Sequence, residues 1–373
     1  MPSSGFLQKL QIQQPIIQAP LAGGSDTPEL VAAVSNAGAL GFVGAAYLSP
    51  EQIAEVGRTV RSKTSRPSGI NLFAPTPAPS DASIEAARKR LESYFSELGL
   101  PAPTMPTKLA YGFSEQLVAA LETGASVFSF TFGLLPPDAI QAIKARKISL
   151  LGTATTVEEA LALEKSGVDA IVTQGSEAGG HRGTFRGDFA AAMIGTISLV
   201  PQVVDAVRIP VVASGGIMDG RGIAAALALG ASAVQLGTAF LTCKESGTPD
   251  AYKEAILRAR EDQTRITRAF SGRPARGIVN RFMEEMESGD RPSEIPSFPL
   301  QNALTRPLRT AAAKQGRAEF LSLWAGQGVR MARRQSAAEL IARLAKETNE
   351  AIQGLHAASS AQPKRPKAGG AAS

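Results

Sequence analysis

The chain has 373 residues, of which only one is cysteine, Cys243, and only two are histidine, His181 and His356. A single thiol excludes an internal disulfide and any metal site built from four cysteines, so the chain suits a reducing compartment and the cytoplasm is its expected location. Two histidines, one of them near the C-terminus, are too few for the usual zinc sets, and no metal is expected. Aromatic residues make up only 5% of the chain, and its lysines and arginines are scattered, which argues against a nucleic-acid partner despite a formal net charge of +6. Half of that excess, Lys364, Arg365 and Lys367, lies in an Ala/Ser/Pro/Gly-rich tail from His356 onward, which its composition marks as disordered. The N-terminal residues lack the basic-then-apolar profile of a secretory signal. Nor is there an unbroken apolar span: the stretch from Gly222 to Phe240 is divided by Gly230-Ala231-Ser232 into a helix and a strand, so no membrane association is expected.

What the sequence does have is alternation. Short β-branched or apolar runs recur between amphipathic helical stretches, the pattern of a buried parallel sheet with helices outside it. Eight such runs are readable: Pro15 to Ala19, Gly41 to Gly44, Ser68 to Phe73, Ser126 to Phe132, Ser149 to Thr153, Ala170 to Thr173, Pro210 to Ala213 and Ala233 to Leu236. Between them, Leu30, Val31 and Val34 fall on one helical face, as do Val157, Ala160, Leu161 and Leu163, with Gly38 and Gly167 as stops. Asp219 and Gly230 are placed to cap a further helix. The expected fold is an α/β (β/α)8 TIM barrel over residues 1–240, with an insertion at about 75–124 that reads as a lid or side helix. A mainly helical extension over 241–355 is expected to pack on the barrel, ahead of the tail at 356–373.

Barrel enzymes work at the loops that follow the strands, and the last two such loops commonly hold a phosphate. Here they read Ala213-Ser214-Gly215-Gly216-Ile217 and Gln235-Leu236-Gly237-Thr238-Ala239, where glycine backbone can approach an anion and Thr238 adds a hydroxyl. The loop after the sixth run, Gln174 to Gly183, is too glycine-rich for a helix: Gly179 and Gly180 admit a flat ligand, Gln174 offers an amide, and His181 is the one histidine outside the tail, with an ordinary pKa of about 6.5. Cys243 has no activating neighbour in sequence, and Trp324 reads as core packing within a helical apolar pattern.

Five segments occur in order: Gln18-Ala19-Pro20-Leu21-Ala22-Gly23, Asn71-Leu72-Phe73, Glu177-Ala178-Gly179-Gly180-His181-Arg182-Gly183, Ser214-Gly215-Gly216-Ile217 and Gln235-Leu236-Gly237-Thr238. Together with Ser271-Gly272-Arg273-Pro274-Ala275-Arg276 and Trp324-Ala325-Gly326-Gln327-Gly328, they resemble the nitronate monooxygenase family, formerly called 2-nitropropane dioxygenase. The resemblance implies that flavin mononucleotide (FMN) is the cofactor. Gln18, Ala19, Pro20, Leu21, Asn71, Gln174, Gly179 and Gly180 would surround its ring system, and Ser214, Gly215, Gly216, Gln235, Leu236, Gly237 and Thr238 its phosphate. It further implies that His181 is the catalytic histidine and that a nitronate such as propionate 3-nitronate, or a neutral nitroalkane, is oxidised with O2 to a carbonyl compound and nitrite; the Ser271-Gly272-Arg273 segment either puts Ser271 or Arg273 near the substrate or forms a tight turn that fixes the extension. A homodimer is compatible with this reading. The alternatives on the same fold are a flavin-dependent enoyl-thioester reductase, an NADH:quinone reductase, and a barrel that binds a phosphate ligand without catalysis.

Overall fold

The computed structural model describes residues 4–76, 84–106, 109–288 and 295–360. Eight parallel strands form its central sheet: β1 (Ile16–Gln18), β2 (Gly41–Gly44), β3 (Ser68–Phe73), β4 (Val127–Thr131), β5 (Ser149–Ala154), β6 (Ala170–Gln174), β8 (Val211–Ser214) and β9 (Ala233–Leu236). Their order is β1-β9-β8-β6-β5-β4-β3-β2, and β2 comes back to β1 through an Ile17–Leu40 bridge and a bond from the Gln18 N–H to the Leu40 carbonyl, so the sheet closes into a (β/α)8 barrel. Each strand falls within about a residue of its expected position.

Side chains alternate across the strands. Ile17, Phe42, Val127, Leu151, Val172, Val212 and Ala233 fill the barrel, and the short helix α1 (Ser4–Leu10) plugs its lower end with Phe6 and Leu10. Gly69 makes room for this interior, because a Cβ there would lie 2.4 Å from the Phe42 ring. The opposite parity, Phe128 and Phe130 on β4 for example, packs outward against the helices; each fully buried phenylalanine contributes roughly 1.5–3 kcal/mol.

The helical ring comprises α2 (Pro28–Asn36), α3 (Pro50–Lys63), α5 (Phe113–Leu121), α6 (Pro137–Ala145), α7 (Val157–Ser166), α8 (Thr196–Ala206) and α9 (Gly220–Ala228), with α14 (Ala337–Ser360) as the eighth member. Asp219 caps α9 by accepting the Gly222 N–H, and Gly230 follows that helix at φ +97°; Leu161, in contrast, stays exposed on α7. Two features of the ring differ from the sequence reading. Within the insertion at 75–124, α4 (Ile84–Glu97) packs on the extension, but α5 packs on α3 and β3 as the third ring helix. At the C-terminus, α14 packs on both α9 and α2, so the ring is closed by a helix that begins about a hundred residues after β9. That helix runs through His356 to Ser360, and residues 361–373, with the three basic residues of the expected tail, lie outside the described residues.

Between β9 and α14 come α10 (Thr238–Leu241), α11 (Asp250–Arg258), β10 (Thr264–Thr267), β11 (Ala275–Ile278), α12 (Arg281–Glu287) and α13 (Leu300–Gln315). The extension is mainly helical, as expected, but it carries an antiparallel hairpin that the sequence reading did not contain. The hairpin pairs with β7 (Gly180–His181), a two-residue strand in the loop after β6. No helix among the described residues is long and apolar enough to cross a membrane.

Candidate functional site

A cavity of about 970 Å³ opens at the C-terminal ends of the strands, between the barrel and the extension. Of the residues singled out in the sequence, Ala19, Pro20, Leu21, Asn71, Gln174, Gly179, Gly180, His181, Ser214, Gly215, Gly216, Gln235, Gly237 and Thr238 line it. Gln18, Leu236 and Ser271 do not. Strand parity explains the first two: Ile17 and Ala19 point inward on β1, so Gln18 points out, and the same alternation on β9 directs Gln235 inward and Leu236 into the outer core. The Gln18 amide instead bridges the barrel seam, accepting the Phe42 N–H at 2.9 Å and donating to the Phe42 carbonyl at 3.2 Å.

At the β6–β8 side the backbone comes close. A Cβ on Gly179 would lie 2.5 Å from the Gly326 nitrogen, and one on Gly215, where φ is +120°, would lie 2.8 Å from Thr196 Oγ1. The N-terminus of α8 is already occupied, because the Glu177 carboxylate accepts the Thr196 N–H at 2.9 Å. An anion is thus left the turns after β8 and β9, where Thr238 Oγ1 also accepts the Gly326 N–H at 3.0 Å.

His181 is held by residues on both walls. From the barrel, the Gln174 amide donates to the His181 carbonyl at 3.0 Å and accepts the Gly183 N–H at 2.8 Å. The buried Arg182 guanidinium donates to the carbonyls of Gln174, Gly175 and Ala192, and Glu159 accepts the N–H groups of Phe185 and Arg186, so the whole loop is pinned. From the extension, Ala275 on β11 pairs with His181, and Ser271 Oγ lies 2.8 Å from its Nε2. The imidazole sits among the rings of Phe132, Phe298 and Trp324, with centroids at 5.8, 5.9 and 5.6 Å. Trp324 is therefore a cavity-wall residue next to the histidine, in a bridge to Gly277 and not in a helix. Burial, followed by the charges of Arg273 and Arg309, pushes the His181 pKa down to about 3, far below the ordinary value, so the ring is neutral at physiological pH.

On the other wall, α13 carries no motif in the sequence. Asn302, Arg306, Arg309, Thr310 and Lys314 recur at helical spacing on α13 and face the cavity. Arg309 donates to the carbonyl and side-chain oxygens of Asn302 at 2.9 and 2.8 Å, but no carboxylate pairs with it among the described residues. Its Nε and the Nδ2 of Asn302 are buried without a partner among the described residues, and burial lowers the guanidinium to a pKa of about 10. The Arg306 guanidinium lies 5.2 Å from the Tyr47 ring, and that of Arg273 lies 3.8 Å from the Phe132 ring. On an isolated helix, such arginines look like an ordinary solvated face. Asp26, also unremarked in the sequence, lines the barrel wall: its carboxylate accepts the Leu21 and Gly44 N–H groups, and burial raises its pKa to about 7. Cys243 is buried, and burial pushes its thiol up to about 12, in keeping with the absence of an assigned role. No cluster of metal-ligating side chains occurs among the described residues.

A cavity with glycine-lined turns on one wall and, on the other, cations without a carboxylate partner among the described residues suits a flat, anionic ligand together with a small anion. Comparisons with known proteins agree with a redox site. The family model described as nitronate monooxygenase matches residues 4–347. A probable nitronate monooxygenase of Staphylococcus aureus (strain Newman) is 45% identical over 348 residues, covering 93% of this chain and 97% of the relative. Another, of Staphylococcus saprophyticus, is 44% identical, covering 91% and 96%. Among solved structures, a nitroalkane oxidase from Streptomyces ansochromogenes superposes with a TM-score of 0.88 at 42% identity, over 94% of this chain and all of that one. FabK from Thermotoga maritima reaches a TM-score of 0.74 at 29% identity, over 95% and 98%.

Proposed function

Since the chain belongs to the nitronate monooxygenase family and is an oxidoreductase on that ground, we propose that it oxidises alkyl nitronates, propionate 3-nitronate among them, with FMN as cofactor and O2 as electron acceptor. The products are a carbonyl compound and nitrite. The observation that carries the preference for an anionic nitronate over a neutral nitroalkane is the pairing of a neutral His181 with the charges of Arg273 and Arg309, of which Arg309 lines the cavity and has no carboxylate partner among the described residues. Those charges attract an anion and, for the same reason, oppose protonation of the imidazole.

The residues present fit a flavin: the cavity is large enough, and its barrel wall is backbone and small side chains, with Gly179, Gly180, Gly215 and Gly216 in its lining. In this reading Ala19, Pro20, Leu21, Asn71, Gln174, Gly179 and Gly180 surround the ring system, while Ser214, Gly215, Gly216, Gln235, Gly237 and Thr238 hold the phosphate. Bound there, FMN would supply the electron transfer and the chemistry with O2. The protein's part is to position and to neutralise. Arg309, with Asn302 and Arg306, binds the substrate's negative charge; the rings of Phe132, Phe298 and Trp324 exclude water around its carbon; and His181 accepts the α-proton when a neutral nitroalkane is the substrate, the more demanding case. The reading places the enzyme in the cytoplasm.

The test is aerobic turnover of purified protein with propionate 3-nitronate, followed by oxygen consumption and nitrite release. Both are expected, and NADH alone is expected to give neither; bleaching of the flavin by NADH with no nitronate turnover would reject the proposal in favour of a reductase.

A further inference from the structure

We infer that Ser271 fixes the tautomer of His181, with the proton on Nε2 and the bare lone pair on Nδ1, so that Nδ1 is the atom that exchanges a proton with substrate. The tautomer follows from the hydrogen bonds alone; the proton exchange rests on the function proposed above.

Ser271 is 1% exposed and its hydroxyl has three neighbours: His181 Nε2 at 2.8 Å, the Arg273 carbonyl at 3.1 Å and the Arg273 N–H at 3.3 Å. A hydroxyl has one proton to donate and two lone pairs. If it donates to Nε2, no side chain among the described residues donates to the Arg273 carbonyl. If it donates to the Arg273 carbonyl, its lone pairs accept the Arg273 N–H and an Nε2–H, and all three contacts become hydrogen bonds. Buried polar groups strongly favour the arrangement that satisfies every partner. Nδ1 then has no proton, and it makes no hydrogen bond to a described residue, while the ring lines the cavity.

The turn that presents the hydroxyl is itself fixed. Gly272 has φ +79°, and a Cβ there would lie 2.0 Å from the Pro296 carbonyl oxygen, so only glycine fits. On α13, Gln301 donates to the Ala269 carbonyl at 2.6 Å and Thr305 to that of Phe270 at 2.5 Å. The neighbouring Arg273 donates to the carbonyls of Arg182 and Thr184, which ties the turn to the histidine loop. Ser271 is thus a positioning residue that does not face the cavity.

The consequence for a neutral nitroalkane is a complete proton transfer. The α-C–H bond breaks, its electron pair remains on the substrate as the nitronate, and the proton goes to Nδ1. Nε2–H remains bonded to Ser271 throughout, so both N–H groups of the resulting imidazolium are accounted for. A nitronate supplied as such skips this step.

Two histidines in the chain make the test simple. Histidine-15N-labelled full-length protein, in long-range 1H–15N correlation spectra, should show one neutral ring with protonated Nε2 and bare Nδ1, absent from His181→Asn. In Ser271→Ala that pattern should shift toward the other tautomer or an average of the two, and Ser271→Thr, which keeps the hydroxyl, should restore it. Kinetically, Ser271→Ala should lower kcat for a neutral nitroalkane at least tenfold while changing turnover of propionate 3-nitronate less than threefold. A wild-type ring protonated on Nδ1, or a Ser271→Ala spectrum identical to wild type, would overturn the inference. Should Ser271→Ala fail to fold, the wild-type and Ser271→Thr spectra still decide it. The correct tautomer in a protein that does not turn over nitronate would reject the proposed function and leave this assignment standing.

Discussion

The two walls of the cavity are made in different ways. The barrel wall consists of strand ends and turns of backbone and small side chains, closely packed as at Gly215 against Thr196, and it is a surface a ligand can lie against. The extension wall consists of long cationic and aromatic side chains, Arg306, Arg309 and Trp324, held at a distance by α13 and the β10–β11 hairpin. Under the proposed function, shape for the cofactor and charge for the substrate would come from separate parts of the chain, which meet where β7 pairs with β11 at His181.

Substitutions can separate the walls. The largest effect is expected on the barrel wall, where Gly179→Ala places a methyl group 2.5 Å from the Gly326 nitrogen. Backbone would have to move on both sides, so purified protein should lose flavin at least a hundredfold more readily, read by its visible absorbance after dialysis. At the junction, His181→Asn should reduce turnover of neutral nitroalkanes by about 10²–10⁴ and leave nitronate turnover within a few-fold; equal loss on both would assign His181 to binding. On the extension wall, Arg309→Met should raise KM for propionate 3-nitronate about tenfold or more, the loss of a hydrogen bond to a charged group being worth about 1.5–3 kcal/mol. A nitronate with no second charge should be affected less, and flavin content should not change.

The smallest effect concerns stability. Burial raises the Asp26 carboxyl from 3.8 to about 7, so between those values unfolding releases a proton; its contribution is present below 3.8 and is lost as pH rises through about 7. His181 works in the opposite direction, lowered from 6.5 to about 3, with stability present above 6.5 and lost as pH falls toward 3. Asp26→Asn keeps an oxygen for the Leu21 and Gly44 N–H groups and removes the ionisation. Relative to wild type, its Tm should be several degrees higher at pH 8 than at pH 5; a difference that does not vary with pH would show that Asp26 is not titrating in this range.

How well each wall could be read in the sequence follows from how local its determinants are. A parallel strand with a glycine turn is written in a few consecutive residues, and all eight strands of the barrel were readable for that reason. Gln18 and Leu236 stand inside the segments that carry the resemblance, yet alternation with Ile17 and Ala233, which fill the barrel, turns their side chains away from the cavity. The extension depends on pairings across long separations: Ala275 with His181, Trp324 with Gly277, and α14 with α2. No periodicity reports such contacts, so the hairpin was missed and Trp324 was placed in a helix. Arg309 is the clearest case, because its meaning depends on its bonding to Asn302 with no carboxylate partner among the described residues, which only the folded arrangement reveals.

Under the proposed function, electrons enter this site from an anionic nitronate. Anaerobic stopped-flow mixing of the flavin-loaded protein with propionate 3-nitronate, and separately with NADH, tests it most directly. Rapid change of the flavin spectrum is expected with the nitronate, followed by nitrite on admission of air, with a slow or absent response to NADH. Rapid reduction by NADH with no response to the nitronate would contradict it.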